Sequence, residues 1–176
     1  TLMKKIVSLL IILAVFASCE EDISSNTPSF QARKDNFMWR AQDYTAIYNP
    51  LDSTLVLTAF NGLEVVKLYS YPVIVNGTGT STFFENATFE LGNDDVNKAF
   101  YSFADRGVNF EYETGIADAP NGEVVLENTV NQKPGTISGS FRFDAPYIGE
   151  TTDAPERINF QNGVFYEIPL TIGVNQ

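Results

Sequence analysis

The sequence predicts an all-β protein, a single antiparallel β-sandwich or barrel-like domain that follows a signal peptide and a short tether. Short segments rich in aromatic and β-branched residues recur about every 8–12 residues, as they do in sandwiches and barrels. Turns rich in glycine, asparagine and aspartate separate these segments. No segment carries a 3.6-residue apolar stripe long enough for a core helix. The sandwich and the barrel both stay open as alternatives.

Four strands are predicted in the first half of the domain, at residues 37–41, 44–48, 54–60 and 63–71. Asn49-Pro50 begins a turn, because proline fixes φ and asparagine bonds its own backbone. Asn61-Gly62 is a hairpin signal, so the strands on either side of it are expected to pair antiparallel. Pro72 ends the second of them or places it at a sheet edge.

Seven further strands are predicted, at residues 83–91, 99–104, 108–114, 123–128, 136–144, 157–160 and 164–170. The segment 136–144 shows strict period-two alternation, with Ile137, Phe141 and Phe143 on the same face. Such alternation is typical of a strand with one buried face. The last two segments repeat this pattern on either side of residues 161–163, Gln-Asn-Gly, which we interpret as a turn or a glycine bulge.

The first 18 residues have the three parts of a secretory leader. Lys4 and Lys5 form a positive region, and a mostly apolar run at 6–16 follows, which is too short to span a membrane. Phe16-Ala17-Ser18-Cys19 resembles the bacterial lipobox, in which the cysteine thiol takes a diacylglycerol. The alternative is a plain signal peptide with a chance cysteine.

The chain is therefore expected to divide into three parts. Residues 1–18 are a lipoprotein signal peptide, 19–29 are the lipidated Cys19 with an acidic and polar tether, and 30–176 are the antiparallel β domain. Glu20, Glu21 and Asp22 resemble the export signal that sends lipoproteins of the Bacteroidota to the outer face of the outer membrane. The protein is expected to be an outer-membrane lipoprotein exposed at the cell surface, or otherwise one that faces the periplasm.

The composition limits the partners of the protein. The chain of 176 residues has 11 basic residues, 22 acidic residues and no histidine. Removal of the leader takes Lys4 and Lys5 with it, which leaves a net charge of −13. Such a surface repels nucleic acid and anionic headgroups, so we expect attachment to the membrane through acyl chains on Cys19. A protein or glycan partner stays open.

The residue types also limit the chemistry. Without histidine the chain has no Ser-His-Asp or Cys-His catalysis, and the single cysteine is assigned to lipidation. We expect no cofactor and no catalytic residues. A glycoside hydrolase based on two carboxylates is the less favoured alternative, with Glu111 and Glu113 on either side of Tyr112. The competing interpretation is a solvated strand face with Tyr112 pointing inward.

Three weaker site hypotheses remain. No metal site is assigned, although clustered oxygen ligands at Asp94, Asp95 and Asp118 are weak calcium candidates. Ser53, in the tripeptide Asp52-Ser53-Thr54, is a candidate for bacterial O-glycosylation. The candidate ligand-facing aromatic residues, whose rings serve either as a sugar platform or as core, are Trp39, Tyr44, Tyr48, Tyr69 and Tyr71.

The two ends of the domain carry distinctive short motifs. Residues 135–143 read Gly-Thr-Ile-Ser-Gly-Ser-Phe-Arg-Phe, and 158–165 end in Gly-Val-Phe. These residues resemble the C-terminal pattern of a family of small Bacteroidota envelope lipoproteins of unknown function. Residues 30–37 resemble its first strand, with Asn36 in place of the usual glycine; both tolerate positive φ. The resemblance implies a β domain and a location in the cell envelope. It supplies no catalytic residues.

The predicted function is a membrane-anchored envelope lipoprotein that acts as a non-catalytic binding or structural accessory. The alternative is a carbohydrate- or small-ligand-binding module at the cell surface.

Overall fold

Strands make up nearly all the regular structure of the chain. The computed structural model describes residues 28–72, 74–76, 83–93, 96–115, 121–127, 133–150 and 154–173. Within these ranges there are thirteen strands and no α-helix, which confirms the all-β prediction. Accordingly, no helix in this part of the chain is long and apolar enough to cross a membrane.

The first six strands are β1 (Ser29–Lys34), β2 (Phe37–Arg40), β3 (Asp43–Asn49), β4 (Thr54–Asn61), β5 (Glu64–Ser70) and β6 (Ile74–Asn76). The remaining seven are β7 (Phe83–Phe84), β8 (Ala87–Leu91), β9 (Lys98–Asp105), β10 (Val108–Glu113), β11 (Gly122–Leu126), β12 (Thr136–Pro146) and β13 (Arg157–Ile172).

Eleven of these strands form one curled sheet, and β6 pairs with β7 in a separate sheet of two strands. The main path through the large sheet is β10-β9-β5-β4-β3-β13-β12-β11-β8, and β1 pairs with both β13 and β2. The sheet curls so far that Tyr112 of β10 forms a bridge with Tyr147, just after β12. The Ile148 N–H also donates to the Glu111 carbonyl at 2.9 Å. The result is a half-barrel, in agreement with the barrel-like alternative.

The long strand β13 joins the two parts of this sheet. Its first part pairs antiparallel with β12 and with β1, and its end pairs parallel with β3, Leu170 opposite Ala46. The sheet is therefore mixed, whereas the sequence predicted antiparallel pairing throughout. The difference arises because β13 runs on beyond its pairing with β12 and reaches a strand from the first half of the domain.

Two tight hairpins carry the turn residues that their geometry requires. Asp35 and Asn36 join β1 to β2 with φ of 47° and 70°, as in a two-residue turn with positive φ at both centres. This confirms that Asn36 occupies a position suited to glycine. In the β4–β5 hairpin Asn61 pairs with Glu64, so Gly62, with φ of 61°, is the first central residue. The predicted hairpin is correct, with its turn one residue later.

Two bulges interrupt the pairing of β12 with β13. Gln161 and Asn162 together oppose Arg142, and Asn162 has a φ of 50°. The predicted turn or bulge at 161–163 is therefore a bulge inside one continuous strand. A second bulge places two residues opposite Ser138, whose hydroxyl accepts a hydrogen bond from the Glu167 N–H at 2.9 Å.

Glycine and phenylalanine face each other twice across β12 and β13. Gly139 lies opposite Phe165, and Gly163 lies opposite Phe141. A Cβ atom on Gly139 would lie 2.5 Å from the Phe165 ring, and one on Gly163 would lie 2.6 Å from the Phe141 ring. Both rings are buried. Each ring therefore fills the space that the opposite glycine leaves open.

The core is rich in aromatic contacts. The Phe30 ring lies 4.9 Å from Phe141, measured between centroids, and Phe143 lies 4.7 Å from Phe160. Phe160 in turn lies 5.4 Å from Tyr101 of β9, which connects the two parts of the sheet. Contacts of this kind contribute about 0.5–1.5 kcal/mol each beyond the burial of their area.

Gly163→Ala tests the packing of glycine against phenylalanine. The new methyl group would collide with the Phe141 ring and its carbonyl oxygen, both 2.6 Å away. We expect the free energy of unfolding in urea to fall by about 1–3 kcal/mol. Gly173→Ala is the matched control, because a Cβ there meets no atom within 4 Å. Equal unfolding midpoints for the two variants would contradict the packing role.

Candidate functional site

A polar groove lies on the solvent side of β11, β12 and β13. It consists of two adjoining pockets of about 210 and 200 Å³, and both pockets include Arg142 and Asn162 in their walls. We call this surface the Arg142 groove. Its residues come from three neighbouring strands and from Asn121, which directly precedes β11, so the sheet itself holds them in place.

The bulge at Gln161 and Asn162 shapes the groove. A bulge bends its strand and turns side chains away from the regular alternation. Here two consecutive residues, Gln161 and Asn162, are both exposed, where a regular strand would turn one of them inward. Gly163, which lines the second pocket, adds no side chain beside them.

The first pocket is lined mainly by amide side chains. Its amide side chains are those of Asn121, Asn159, Gln161 and Asn162. Phe143 and Phe160 line the same pocket although both rings are buried in the core. The hydrogen-bonding groups of this pocket are therefore mainly side-chain amides.

One arginine–carboxylate pair lies in the groove, and a second joins the lining residue Asp144 to Arg157 beside it. Arg142 Nε donates to Glu123 Oε1 at 2.9 Å, and Arg157 Nε donates to Asp144 Oδ1 at 2.8 Å. The Arg142 and Glu123 side chains are 63% and 34% exposed, so this pair contributes only about 0–1 kcal/mol to stability. Its structural effect is orientation, because a guanidinium held at Nε presents its two terminal nitrogens in a fixed direction.

A second set of polar side chains, partly buried, surrounds Glu64 at the start of β5. One carboxylate oxygen accepts hydrogen bonds from Lys34 Nζ and from the Tyr101 hydroxyl, the latter at 2.5 Å. The other oxygen accepts from Trp39 Nε1 at 3.0 Å and from Asn61 Nδ2 at 3.3 Å. We call these five residues the Glu64 cluster.

The Glu64 cluster has the geometry of a structural tie. It connects five strands, and both carboxylate oxygens are already hydrogen-bonded within the protein. Lys34 Nζ also donates to the Tyr101 hydroxyl at 2.8 Å and lies 5.0 Å from the centre of the tyrosine ring. Burial and the hydrogen bond to Glu64 raise the pKa of Tyr101 well above its usual value. The cluster holds the β1–β2 hairpin against β4, β5 and β9.

Two of the five candidate ligand-facing aromatic residues lie in the core. Trp39 and Tyr48 are each 3% exposed. The Trp39 ring packs edge-on against Phe160 at 5.8 Å, and the Tyr48 ring packs against Phe84 at 5.2 Å. Neither offers a ring face to a ligand, which corrects the expectation for these two positions. The physical reason is that the alternation of β2 and β3 turns both rings inward.

The other three candidates are more accessible but are not arranged as a platform. The Tyr44 hydroxyl donates to the Pro28 carbonyl at 2.9 Å, and Lys98 Nζ lies over the Tyr69 ring at 5.8 Å. Tyr71, 37% exposed, is the most accessible of the five. Of the five candidate platform residues, only Tyr71 is therefore exposed, and Tyr44 and Tyr69 are partly covered.

Glu111 and Glu113 lie on the outer face of β10, with buried Tyr112 between them. Glu113 pairs with Lys98 Nζ at 3.0 Å, and Glu111 accepts a hydrogen bond from Asn109 Nδ2 at 2.7 Å. This arrangement matches the interpretation of a solvated strand face.

Ser53 lies in an exposed turn with a φ of 59°. The Asp52 carboxylate accepts hydrogen bonds from the Thr54 side chain and backbone, which lower its pKa. The hydroxyl at Ser53 is accessible to a modifying enzyme, and its glycosylation stays a prediction.

Several predicted site residues lie outside the described part of the chain, namely Cys19, Glu20, Glu21, Asp22, Asp94, Asp95 and Asp118. Among the residues that the structure describes, no group of three or more cysteine, aspartate, glutamate or histidine side chains is placed to hold a metal ion.

Sequence reasoning missed the Arg142 groove. The alternation in 136–144 turned Arg142 outward, and residues 161–163 were identified as a turn or bulge. Joining these features required the register of β12 against β13 and the proximity of Asn121, which depends on pairing over long sequence separations.

The fold and the groove define a class, an all-β protein with one curled mixed sheet and a polar surface groove. The chain belongs to the family described as a domain of unknown function (DUF6252), whose model matches residues 26–169. This match includes the whole Arg142 groove. Searches of curated proteins and of solved structures found no match to the chain.

The raised pKa of Tyr101 leads us to expect a loss of stability at alkaline pH. Above its usual pKa of 10.0 the unfolded chain releases the phenolic proton, whereas the native protein retains it. The free energy of unfolding should therefore fall as pH rises above about 10, by up to about 1.4 kcal/mol per pH unit for this group. Tyr101→Phe should make the fall shallower, measured by urea unfolding between about pH 8 and pH 11. The same slope in both proteins would contradict the assignment.

Proposed function

We propose that the protein is a lipid-anchored, non-catalytic binding protein of the cell envelope, with the Arg142 groove as its ligand-contacting surface. The groove is the observation that carries this proposal, because it gathers a guanidinium, carboxylates and several amides in two adjoining pockets. Concave sites with a few convergent polar groups are the usual form of ligand-binding surfaces.

The groups in the groove favour binding over hydrolysis. A glycosidase needs one carboxylic acid that can donate a proton, which is usually held in an apolar setting. Glu123 and Asp144 each accept a hydrogen bond from an arginine instead. Each carboxylate is thereby held against a guanidinium as a hydrogen-bond acceptor, an arrangement that suits recognition of a ligand.

The anchor part of the proposal rests on the leader. A positive region, an apolar run and small residues before Cys19 support acylation of that cysteine, and the resemblance to Bacteroidota envelope lipoproteins supports the outer membrane. The acidic and polar tether at 19–29 would join the lipidated cysteine to the β domain, whose first described strand begins at Ser29. Glu20, Glu21 and Asp22 support display at the cell surface.

Cys19→Ala tests the anchor. Without the thiol no diacylglycerol can be attached, so the protein should move from the membrane fraction to the soluble fraction or accumulate with its leader uncleaved. Fractionation and intact mass measure this result. Ser25→Ala, in the same tether, should leave the protein in the membrane. If the Cys19→Ala variant stays in the membrane after its leader has been removed, the lipid-anchor proposal is wrong.

Replacement of Glu20, Glu21 and Asp22 by Gln, Gln and Asn tests the surface signal. On intact cells, added protease should degrade the unmodified protein, and the variant should be protected while still membrane-bound. Glu156→Gln removes a charge within the domain and should leave the protease sensitivity unchanged. Equal degradation of both proteins would show that the acidic triplet does not direct export.

A further inference from the structure

We propose that the Arg142 groove binds neutral sugar units of a glycan, two consecutive units in its two pockets. This inference rests on the proposed function, because it names the ligand class of the same surface. It does not depend on the aromatic residues Trp39 and Tyr48, which lie in the core.

The charge of the groove points to a neutral ligand. Its lining has one basic group, Arg142, and two carboxylates, those of Glu123 and Asp144. Arg142 pairs with Glu123, and Arg157, beside the groove, pairs with Asp144. The charges in and directly beside the groove therefore balance, because Arg157 pairs with the lining residue Asp144 from outside the lining, in a chain whose net charge is −11. An anionic ligand would meet two carboxylates and the repulsion of the whole surface. A cationic ligand would be attracted by the net charge, but both carboxylates are already paired with guanidinium groups that would repel it.

The groups are those that bind hydroxyls. A sugar hydroxyl both donates and accepts, so it pairs with an amide, which offers a donor and an acceptor in one plane. Asn159, Gln161 and Asn162 supply such amides, and Glu123 supplies an acceptor. Within the described part of the chain, the guanidinium of Arg142 is hydrogen-bonded through Nε, which leaves its terminal nitrogens for neighbouring hydroxyls.

The backbone beneath these groups is held firmly. Asp35 and Asn159 exchange two hydrogen bonds, from the Asp35 N–H to the Asn159 carbonyl at 2.8 Å and from the Asn159 N–H to Asp35 Oδ1 at 2.9 Å. Asn162 is fixed by the bulge between paired residues on both sides. A preorganised surface loses less entropy when it binds, which favours a ligand that relies on hydrogen bonds.

The size of the pockets sets the size of the ligand. Each pocket, at about 210 or 200 Å³, is smaller than the roughly 300–1,000 Å³ of sites for drug-sized molecules. Two small adjoining pockets suit successive small units of a polymer. Because the rings of Phe143 and Phe160 are buried below, stacking adds little, and the affinity should be weak.

Titration calorimetry on the full-length lipidated protein in detergent tests the proposal. The probes are neutral gluco-, manno-, galacto- and xylo-oligosaccharides, together with oligomers of uronic acids. We expect at least one neutral oligosaccharide to bind and the uronic acid oligomers to bind at least tenfold more weakly. Tighter binding of uronic acids would overturn the neutral-sugar assignment and leave a ligand-binding groove in place. Binding of no oligosaccharide would overturn the glycan assignment, whereas the anchor is judged separately by Cys19→Ala.

Two variants locate the site. Arg142→Ala should weaken binding at least tenfold, and so should Asn162→Gly, which removes the amide while glycine keeps the positive φ without strain. Arg40→Ala is the matched control, because Arg40 is an exposed arginine paired with Gln31 outside the groove. Neutral-sugar binding that survives both groove variants would overturn the location.

Discussion

The rest of the structure depends on the reciprocal packing of two glycines against two phenylalanines between β12 and β13. A side chain on Gly139 or Gly163 would occupy the space of the Phe165 or Phe141 ring, so the two strands could not keep their present register. Phe165 also lies opposite Phe30 of β1. The Phe165 ring of β13 therefore packs beside residues of both β1 and β12. If β13 slipped by one residue, this ring would turn out of the core. This gives a physical reason for the same Gly-x-Phe spacing in both strands of this chain, at 139–141 in β12 and at 163–165 in β13.

The same register produces the groove. The pairs Gly163–Phe141 and Phe160–Phe143 both point into the core, yet β13 has one more residue between them than β12. The bulge accommodates this extra residue, and it exposes Asn162 next to Arg142 on the face of the sheet that points away from the core. The polar surface is thus a geometric result of the inner packing, and a change in the core register would also displace the groups of the groove.

Local features of the fold were predictable from the sequence, and distant pairings were not. Alternation identified the faces of β12, and Asn36 and Gly62 marked two tight turns, because these signals lie within a few residues. The parallel contact of β13 with β3 joins residues more than 120 positions apart, and no local pattern records it. Aromatic composition did not distinguish the buried Trp39 from an exposed ring. For the groove, alternation along β12 was enough to predict that Arg142 faces outward. Its neighbours on β11 and β13 could be identified only from the assembled sheet.

The position of β13 along the chain has a consequence for how the protein folds. This strand is the partner of β1, β3 and β12, and it is the last strand to be synthesised among those that the structure describes. Until residues 157–172 are available, β1 and β3 lack the neighbour that unites their halves of the sheet. Such distant contacts make folding slow, because the ends of long loops must meet before any favourable contact forms. The growing chain would therefore remain open, without a closed core, until its final strand is in place.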